Sequence, residues 1–384
     1  MEQFNTVLRQ LLNFIPRREF ESIVFNEKGN RYVKRYNCWS QLTTMLYAQA
    51  SDKDSLRDII TGLSTQRNHW YHLGIVNIAR STLAHANAHR SYQIYEQLFY
   101  GLLDRSHRQI EGRRFRFKNK LYSLDSTTID LCLSLFDWAR FRTTKGAIKM
   151  HCLYSHQLKV PDQIIITDGK KSDIRVAKNN DWPLELDSIL AVDRGYIDYK
   201  YLKTLDSKGV FFVTRAKENM KSALIGQHKF CNKYGVLADK KIKLKGYFSA
   251  QKYPDMLRLV VFRDKETAKV YRFLTNNFKL AASSIAKIYK SRWEIEIFFK
   301  WIKQNLKIKT FMGTSKNAVL TQIWIAMIYM LLLTYIKFQT RCKYSLLEFT
   351  RIIKSTIFDR KDLIDLLNID LNRLGLTQLW LPNT

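Results

Sequence analysis

The chain has no paired cysteine spacing. Its five cysteines (Cys38, Cys132, Cys152, Cys231 and Cys342) form no CxxC and are odd in number. This argues against a disulfide framework or a thiolate metal knuckle and points to reduced, cytosolic thiols. The opening residues, MEQFNTVLRQ, carry no basic stretch followed by an apolar run, so no secretory signal is expected. Long apolar runs are nearly absent too. Only residues 318–336 (AVLTQIWIAMIYMLLLTYI) approach the length of a membrane span without a formal charge. Thr321, Gln322 and Thr334 interrupt that run, and a helix buried on all sides of a core has the same composition. A core helix in a cytoplasmic protein, with no membrane partner, is therefore expected. Internal repeats and low-complexity segments are also missing.

Acidic charge is scarce. Thirty-four Asp and Glu stand against 64 Lys and Arg, which leaves +30 and a pI near 9.9. Such an excess is either met by a polyanion or tolerated as self-repulsion, and nucleic acid is the leading partner. A ribosome- or membrane-surface protein is the alternative that charge alone leaves open. A hydrophobic content of 46% and an aromatic content of 13% require a folded chain, and 384 residues suffice for two or three structural units.

Residues 1–110 read as a helical domain. Val7, Leu8, Leu11 and Leu12 follow helical spacing before Pro16 ends the run. Asp54 and Ser55 cap a short helix expected to stop at Gly62, and Ser81 opens a longer one (STLAHANAHRSYQIYEQLFYGLL). A helix-turn-helix or a plain helical packing domain both fit this pattern. From residue 111 the texture alternates. RRFRFKNKLYSLDST reads as a hairpin turning at Lys118–Asn119, and further strands follow in HCLYSHQLKVPDQIIITDG, SILAVD and GVFFVTRAK. A helix in DYKYLKTLDS separates the last two. Strands alternating with helices imply an α/β sheet. Residues 216–280 look like an antiparallel, β-rich insertion ahead of a long helix that starts near Ala281. Residues 341–384 form a helical C-terminal tail.

Two strands are expected to end in aspartate: LYSLD at Asp125 and ILAVD at Asp193. As parallel neighbours they would bring both carboxylates to the edge where open α/β sheets keep their sites. Hard oxygen donors of this kind suit Mg²⁺ or Mn²⁺. Strand-end aspartates serving as turn or cap residues are the alternative. On the helix IAKIYKSRWEIEIFFKWIKQ, at 100° per residue, Tyr289, Arg292, Glu296, Lys300 and Lys303 share an arc about 80° wide that borders the apolar face. Glu294 lies on the far side with Lys287 and Lys290 and is expected to be solvated. Ion pairs on a surface helix, or a metal ligand among phosphate-binding side chains, both account for the stripe.

The spacing Tyr289, two residues, Arg292, three residues, Glu296, six residues, Lys303 resembles the YREK signature of bacterial DDE transposases. More narrowly, it is similar to the insertion-sequence-four group, and the likeness spans roughly residues 80–340. LDST around Asp125 and VDRGY around Asp193 resemble that group's two aspartate motifs. The resemblance implies an RNase H-like catalytic domain over 111–215 and 281–340, interrupted by the β-rich insertion, with residues 1–110 binding DNA. It implies that Asp125, Asp193 and Glu296 are catalytic and hold two Mg²⁺ or Mn²⁺ ions, with Tyr289, Arg292, Lys300 and Lys303 on DNA phosphates. The implied reaction is metal-dependent cleavage and strand transfer in cut-and-paste transposition. The partners would be double-stranded DNA, as terminal inverted repeats and target, and a second copy of the chain. A nuclease without strand transfer and a non-catalytic DNA-binding protein are the alternatives. Trp293 is a candidate base-stacking platform or a packing residue. His151 (KMHCLYS) and Asp173 (KKSDIRV) resemble group segments but also read as a structural histidine and a helix cap.

The basic runs 113–120, 240–245 and 300–309 suit a phosphate backbone. Neutralising six to ten phosphates predicts that DNA affinity falls by roughly 10³–10⁵ between 50 and 200 mM salt. Filter binding at the two salt concentrations checks this, and a flat salt response would remove nucleic acid as the charge's partner.

Overall fold

The computed structural model describes residues 5–110, 119–142, 145–230, 232–305, 311–340 and 342–368. Two compact units emerge: Met1–Gln109 with Trp301–Thr384, and Ile110–Lys300. The segment that would form the Lys118–Asn119 turn, most of the basic run 113–120 and residues 306–309 of the third run lie outside the described residues, as do residues 369–384 of the tail.

The second unit is built on one sheet. Its strands are β1 (Leu121–Leu131), β2 (Arg140–Arg142), β3 (Lys145–Ser155), β4 (Val160–Asp168), β5 (Ile189–Val192) and β6 (Phe211–Arg215). They are followed by β7 (Ser222–Gln227), β8 (Val236–Leu244), β9 (Leu257–Arg263) and β10 (Val270–Thr275). β3 pairs antiparallel with both β1 and β4, and β1 is parallel to β5, which is parallel to β6. The α/β, RNase H-like expectation is met by this core. Parallel strands need a crossover, and the helix Tyr199–Ser207 supplies it between β5 and β6. The 216–280 segment is antiparallel, and it continues the same sheet. β10 adds to β6, and β9, β8 and β7 follow outward.

Alternation along the strands divides the core in two. Tyr122, Leu124, Leu190 and Val192 pack on one face with Val176, Tyr196 and Leu202. Leu121, Ile189, Ala191 and Val213 pack on the other with Ile285, Ile288 and Tyr289 of the helix Ala282–Ser291.

The first unit is helical in its described residues. The helix Lys316–Gln339 is its centre, with 89% of its most apolar stretch buried. It is therefore a core helix. Its polar residues are accommodated: Gln322 accepts from the Met312 amide at 3.1 Å, and Thr334 donates to the Met330 carbonyl at 3.0 Å. Trp324 packs against Phe99 and Tyr100. Two helix expectations need correction. The helix capped by Ser55 runs through Gly62 to Ser64. The long helix expected from Ser81 is two, Arg80–His89 and Gln93–Ile110. Asn317 explains that break. Its side chain donates to the carbonyls of Asn87 and Arg90 and accepts from the Tyr92 amide, satisfying backbone groups that the interruption frees.

One buried ion pair ties the outer strands of the sheet to the entry of the helix Ala282–Ser291. Arg258 on β9 donates through Nε and Nη2 to the two Asp239 oxygens of β8 at 2.8 and 2.6 Å. Its Nη1 donates to the carbonyls of Asn277 and Leu280. Both side chains are almost wholly buried. Removing one partner strands a charge in the core, so Arg258→Met should destabilise the chain by about 3–5 kcal/mol. Urea unfolding measures this, and a change below about 1 kcal/mol, the usual scale of a surface pair, would contradict the burial argument.

Candidate active site

Register brings the two aspartates together. The parallel ladder of β1 and β5 ends at Leu124↔Val192, and Asp125 and Asp193 are the next residue of each strand. By alternation Ser123, Asp125 and Asp193 share the face of Leu121 and Ala191, toward the helix Ala282–Ser291. Asp125 does not end its strand as expected. β1 continues to Leu131, held by β3 with Asp125 opposite Cys152. β5 does stop at Val192, so Asp125 lies at the edge of the parallel ladder but in the middle of the antiparallel one. Asp193 caps the single turn Arg194–Tyr196, its Oδ1 accepting from the Gly195 amide at 2.8 Å. A Cβ at position 195 would stand 3.1 Å from that oxygen, so glycine permits the close approach.

The third carboxylate comes from a helix that is broken where one continuous helix was expected. The segment divides into Ala282–Ser291 and Trp293–Asn305 with Arg292 between them. The Arg292 amide bonds the Tyr289 carbonyl and the Ile295 amide bonds the Arg292 carbonyl, both three residues back. Such tighter turns within a helical segment often mark a functional position, and the Arg292 backbone itself stays in the right-handed helical region. Arg292 is buried and lies between two of the acids. Its Nη2 donates to Glu296 Oε1 at 2.6 Å, and its Nη1 faces Asp125 Oδ2 at 3.5 Å. Its Nε is buried without a partner.

Negative charge is under-compensated here. Burial, with repulsion from Asp193 and Glu296, pushes the Asp125 carboxyl up to about 6, although the Ser126 amide and Arg292 oppose the rise. Hard carboxylate oxygens that one arginine only partly compensates are the donor type a divalent cation takes. Among the described residues, no three His, Cys, Asp or Glu side chains close to metal-binding distance. The guanidinium between Asp125 and Glu296 is the cation that the structure provides.

The other predicted residues divide. Tyr289 is buried, stacks obliquely on Phe273 at 4.9 Å and lies beside Arg292. Lys300 is exposed on the glutamate helix, and Lys303 lies further along it, partly buried. Trp293 is 58% exposed, which sets it apart from the core. His151 and Asp173 meet each other at 3.5 Å, with Ser126 donating to Asp173 at 2.6 Å. His151 lies opposite Ser126, so by alternation this group occupies the sheet face away from the carboxylates. Burial lowers the His151 pKa to about 4, which leaves the ring neutral.

Glu294 is a correction. Its side chain stays 40% exposed, but it also faces the buried His156, Oε2 to Nδ1 at 3.5 Å. The His156 ring beside it holds its carboxyl below the usual range, against partial burial. The sequence carries no signal for this contact, because His156 lies in the turn after β3, far away in the chain.

Comparison with known proteins follows the same lines. Residues 116–332 match the family described as Transposase DDE domain, and residues 3–76 match a domain of unknown function (DUF4372). A Sinorhizobium fredii protein named as a transposase is 33% identical over 289 residues, covering 73% of this chain and 78% of its own. A Geobacillus stearothermophilus protein, named as a transposase for insertion sequence element IS5377, is 28% identical over 72% of this chain and 74% of its own. A solved piggyBac transposase synaptic complex with hairpin DNA covers 97% of this chain and 83% of its own, at TM-score 0.44 and 10% identity.

The raised Asp125 carboxyl has a consequence for stability. The folded state takes up a proton between the ordinary carboxylate pKa and about 6, so the cost of this charge is absent at pH 4 and complete above pH 6. Without divalent ions, Asp125→Asn should therefore be more stable than wild type at pH 7.5, by up to about 3 kcal/mol, with the gap closing toward pH 4. Urea unfolding in chelator at the two pH values checks this, and a gap independent of pH would refute the electrostatic cause.

Proposed function

The chain belongs to the Transposase DDE domain family, and we propose that Asp125, Asp193 and Glu296 are the carboxylates with which this DNA-cleaving and strand-transferring enzyme works. The observation that carries the assignment is electrostatic. Asp125 on a strand feels the charges of Asp193 at a strand end and Glu296 on a helix, with buried Arg292 between Asp125 and Glu296. The family uses divalent metal ions. Here Asp125, Asp193 and Glu296 would hold two Mg²⁺ or Mn²⁺ ions, which supply activation of a water or 3′-hydroxyl and stabilisation of the leaving oxygen at phosphorus.

The chain's own side chains set up that reaction. Asp125 and Asp193, one register step beyond a paired ladder, are held by backbone and need little reorganisation. Arg292 neutralises Asp125 and Glu296 in the structure, and with divalent ions bound its guanidinium would be available to a DNA phosphate. Tyr289 fixes the arginine's position from the core side. Lys300, exposed on the glutamate helix, and Lys303 further along it add phosphate contacts. No covalent enzyme intermediate is needed, because the attacking oxygen comes from water or DNA.

The wider reading is cut-and-paste transposition of an insertion sequence. Residues 1–110 bind the terminal inverted repeats, a second copy of the chain pairs the two ends, and the joined product forms in target DNA. The protein works in the cytoplasm on the nucleoid, and the apolar helix Lys316–Gln339 serves as core. Asp125→Ala, Asp193→Ala and Glu296→Ala should each lower Mg²⁺-dependent cleavage of DNA carrying the element's ends by about 10³-fold or more, the equivalent of several kcal/mol of transition-state stabilisation. DNA affinity should stay near wild type. Full cleavage by any one of these variants would remove that residue from the site. A strand-transfer assay on pre-cleaved ends separates a transposase from a nuclease, which would yield no joined product.

A further inference from the structure

Beside the carboxylates lies a buried bridge that the proposed chemistry does not use. Ser123 is two residues before Asp125 on β1 and shares its face. Its Oγ is 2.8 Å from His156 Nε2. The other ring nitrogen faces Glu294 Oε2 at 3.5 Å, and Glu294 is in the first turn of the helix that carries Glu296. Both Ser123 and His156 are fully buried. The His156 backbone is fixed as well, its amide donating to the Leu121 carbonyl. Tyr154 packs edge-on to the His156 ring at 5.3 Å and meets Phe298 of the same helix at 5.5 Å.

This Ser–His–Glu order is not a nucleophile with its base. Ser123 has no exposed surface for a substrate to reach. Its geometry serves another purpose. The hydrogen-bond ladder tightens to three-residue spacing at Arg292, so contacts made by Trp293–Asn305 itself help to set its rotation. The buried Ile295, Phe298 and Ile302 hold one face of that helix, and a polar contact on its first turn adds to them, because turning the helix swings Glu296 toward or away from Asp125. The bridge does so at the right place. One end is anchored two residues from Asp125 and the other two residues from Glu296.

We propose that His156 is a positioning residue: by linking Ser123 to Glu294 it sets the gap between Asp125 and Glu296 that a divalent cation must fill. Buried imidazole is suited to the task. Its ring joins two polar groups about one ring-width apart with few rotatable bonds, whereas a longer side chain would leave the spacing loose. Groups that orient metal-binding carboxylates typically change metal affinity by 10–100-fold when removed.

The inference rests on the carboxylate reading above, and the test separates the two. Full-length protein is used, with Mn²⁺ as the probe. Hydrogen exchange of residues 293–299 is followed in chelator, and Mn²⁺ binding is followed by the resonance of the free ion. Glu294→Ala, chosen because Glu294 is partly exposed and the fold tolerates its loss, should speed exchange in that segment and weaken Mn²⁺ binding by about 10–100-fold. Glu294→Gln, which keeps an oxygen toward His156, should recover most of both. His156→Phe should match Glu294→Ala from the opposite end. Glu294→Ala with wild-type exchange and wild-type Mn²⁺ affinity would overturn the positioning role while leaving the site assignment intact. Undiminished Mn²⁺ binding by Asp125→Ala would instead sink the carboxylate site, and the positioning role with it.

Discussion

Negative charge concentrated on one face of a sheet is the constraint around which the second unit is arranged. The chain carries a large positive excess, yet Asp125 is buried beside Asp193 and Glu296, and its carboxyl is raised. Bringing carboxylates out of water and beside one another costs free energy unless a cation joins them. Arg292 is that cation in the structure. It spans Asp125 and Glu296 while leaving its Nε unsatisfied, an arrangement that trades one polar cost for a larger electrostatic gain. Destabilised acids of this kind mark a site prepared for a stronger ligand, and the family's use of divalent ions gives that preparation a chemical purpose.

The rest of the unit holds the acids in place. Backbone pairing of β1 with β3 and β5 fixes the two aspartates. The helix is harder to fix, because it attaches to the sheet only through side chains and is interrupted at its critical residue. Two polar devices meet that need. Arg258 and Asp239 secure the loop that leads into Ala282–Ser291. His156 joins the first turn of Trp293–Asn305 to β1. The Arg258–Asp239 pair is buried and would be costly if left half-formed, so it specifies one arrangement as well as stabilising it.

Much of this was legible beforehand. The Tyr289, Arg292, Glu296 and Lys303 spacing, with the LDST and VDRGY segments, pointed to the acids that the fold brings together. Strand textures placed β3 to β6 and β8 to β10 correctly in kind, because alternation in a half-buried strand is written directly into residue order. Errors fell where a distant partner intervened. Asp125 read as a strand end, since nothing nearby shows that β3 continues to pair beyond it. The break between Arg80–His89 and Gln93–Ile110 was missed because Asn317, which satisfies the freed backbone, lies far along the chain.

Composition and spacing by themselves determined the class of partner, the α/β character and the burial of the apolar helix, and they nominated the three acids. These are properties of local periodicity and residue type, which survive without knowledge of neighbours. Tertiary structure alone decided that Arg292 bridges two acids, that Tyr289 is core, that His151 and Asp173 lie across the sheet, and that Glu294 faces His156. Each depends on which strand lies beside which and on how a broken helix is turned. Those pairings are set by the balance of burial over the whole chain, a quantity no short stretch of residues contains.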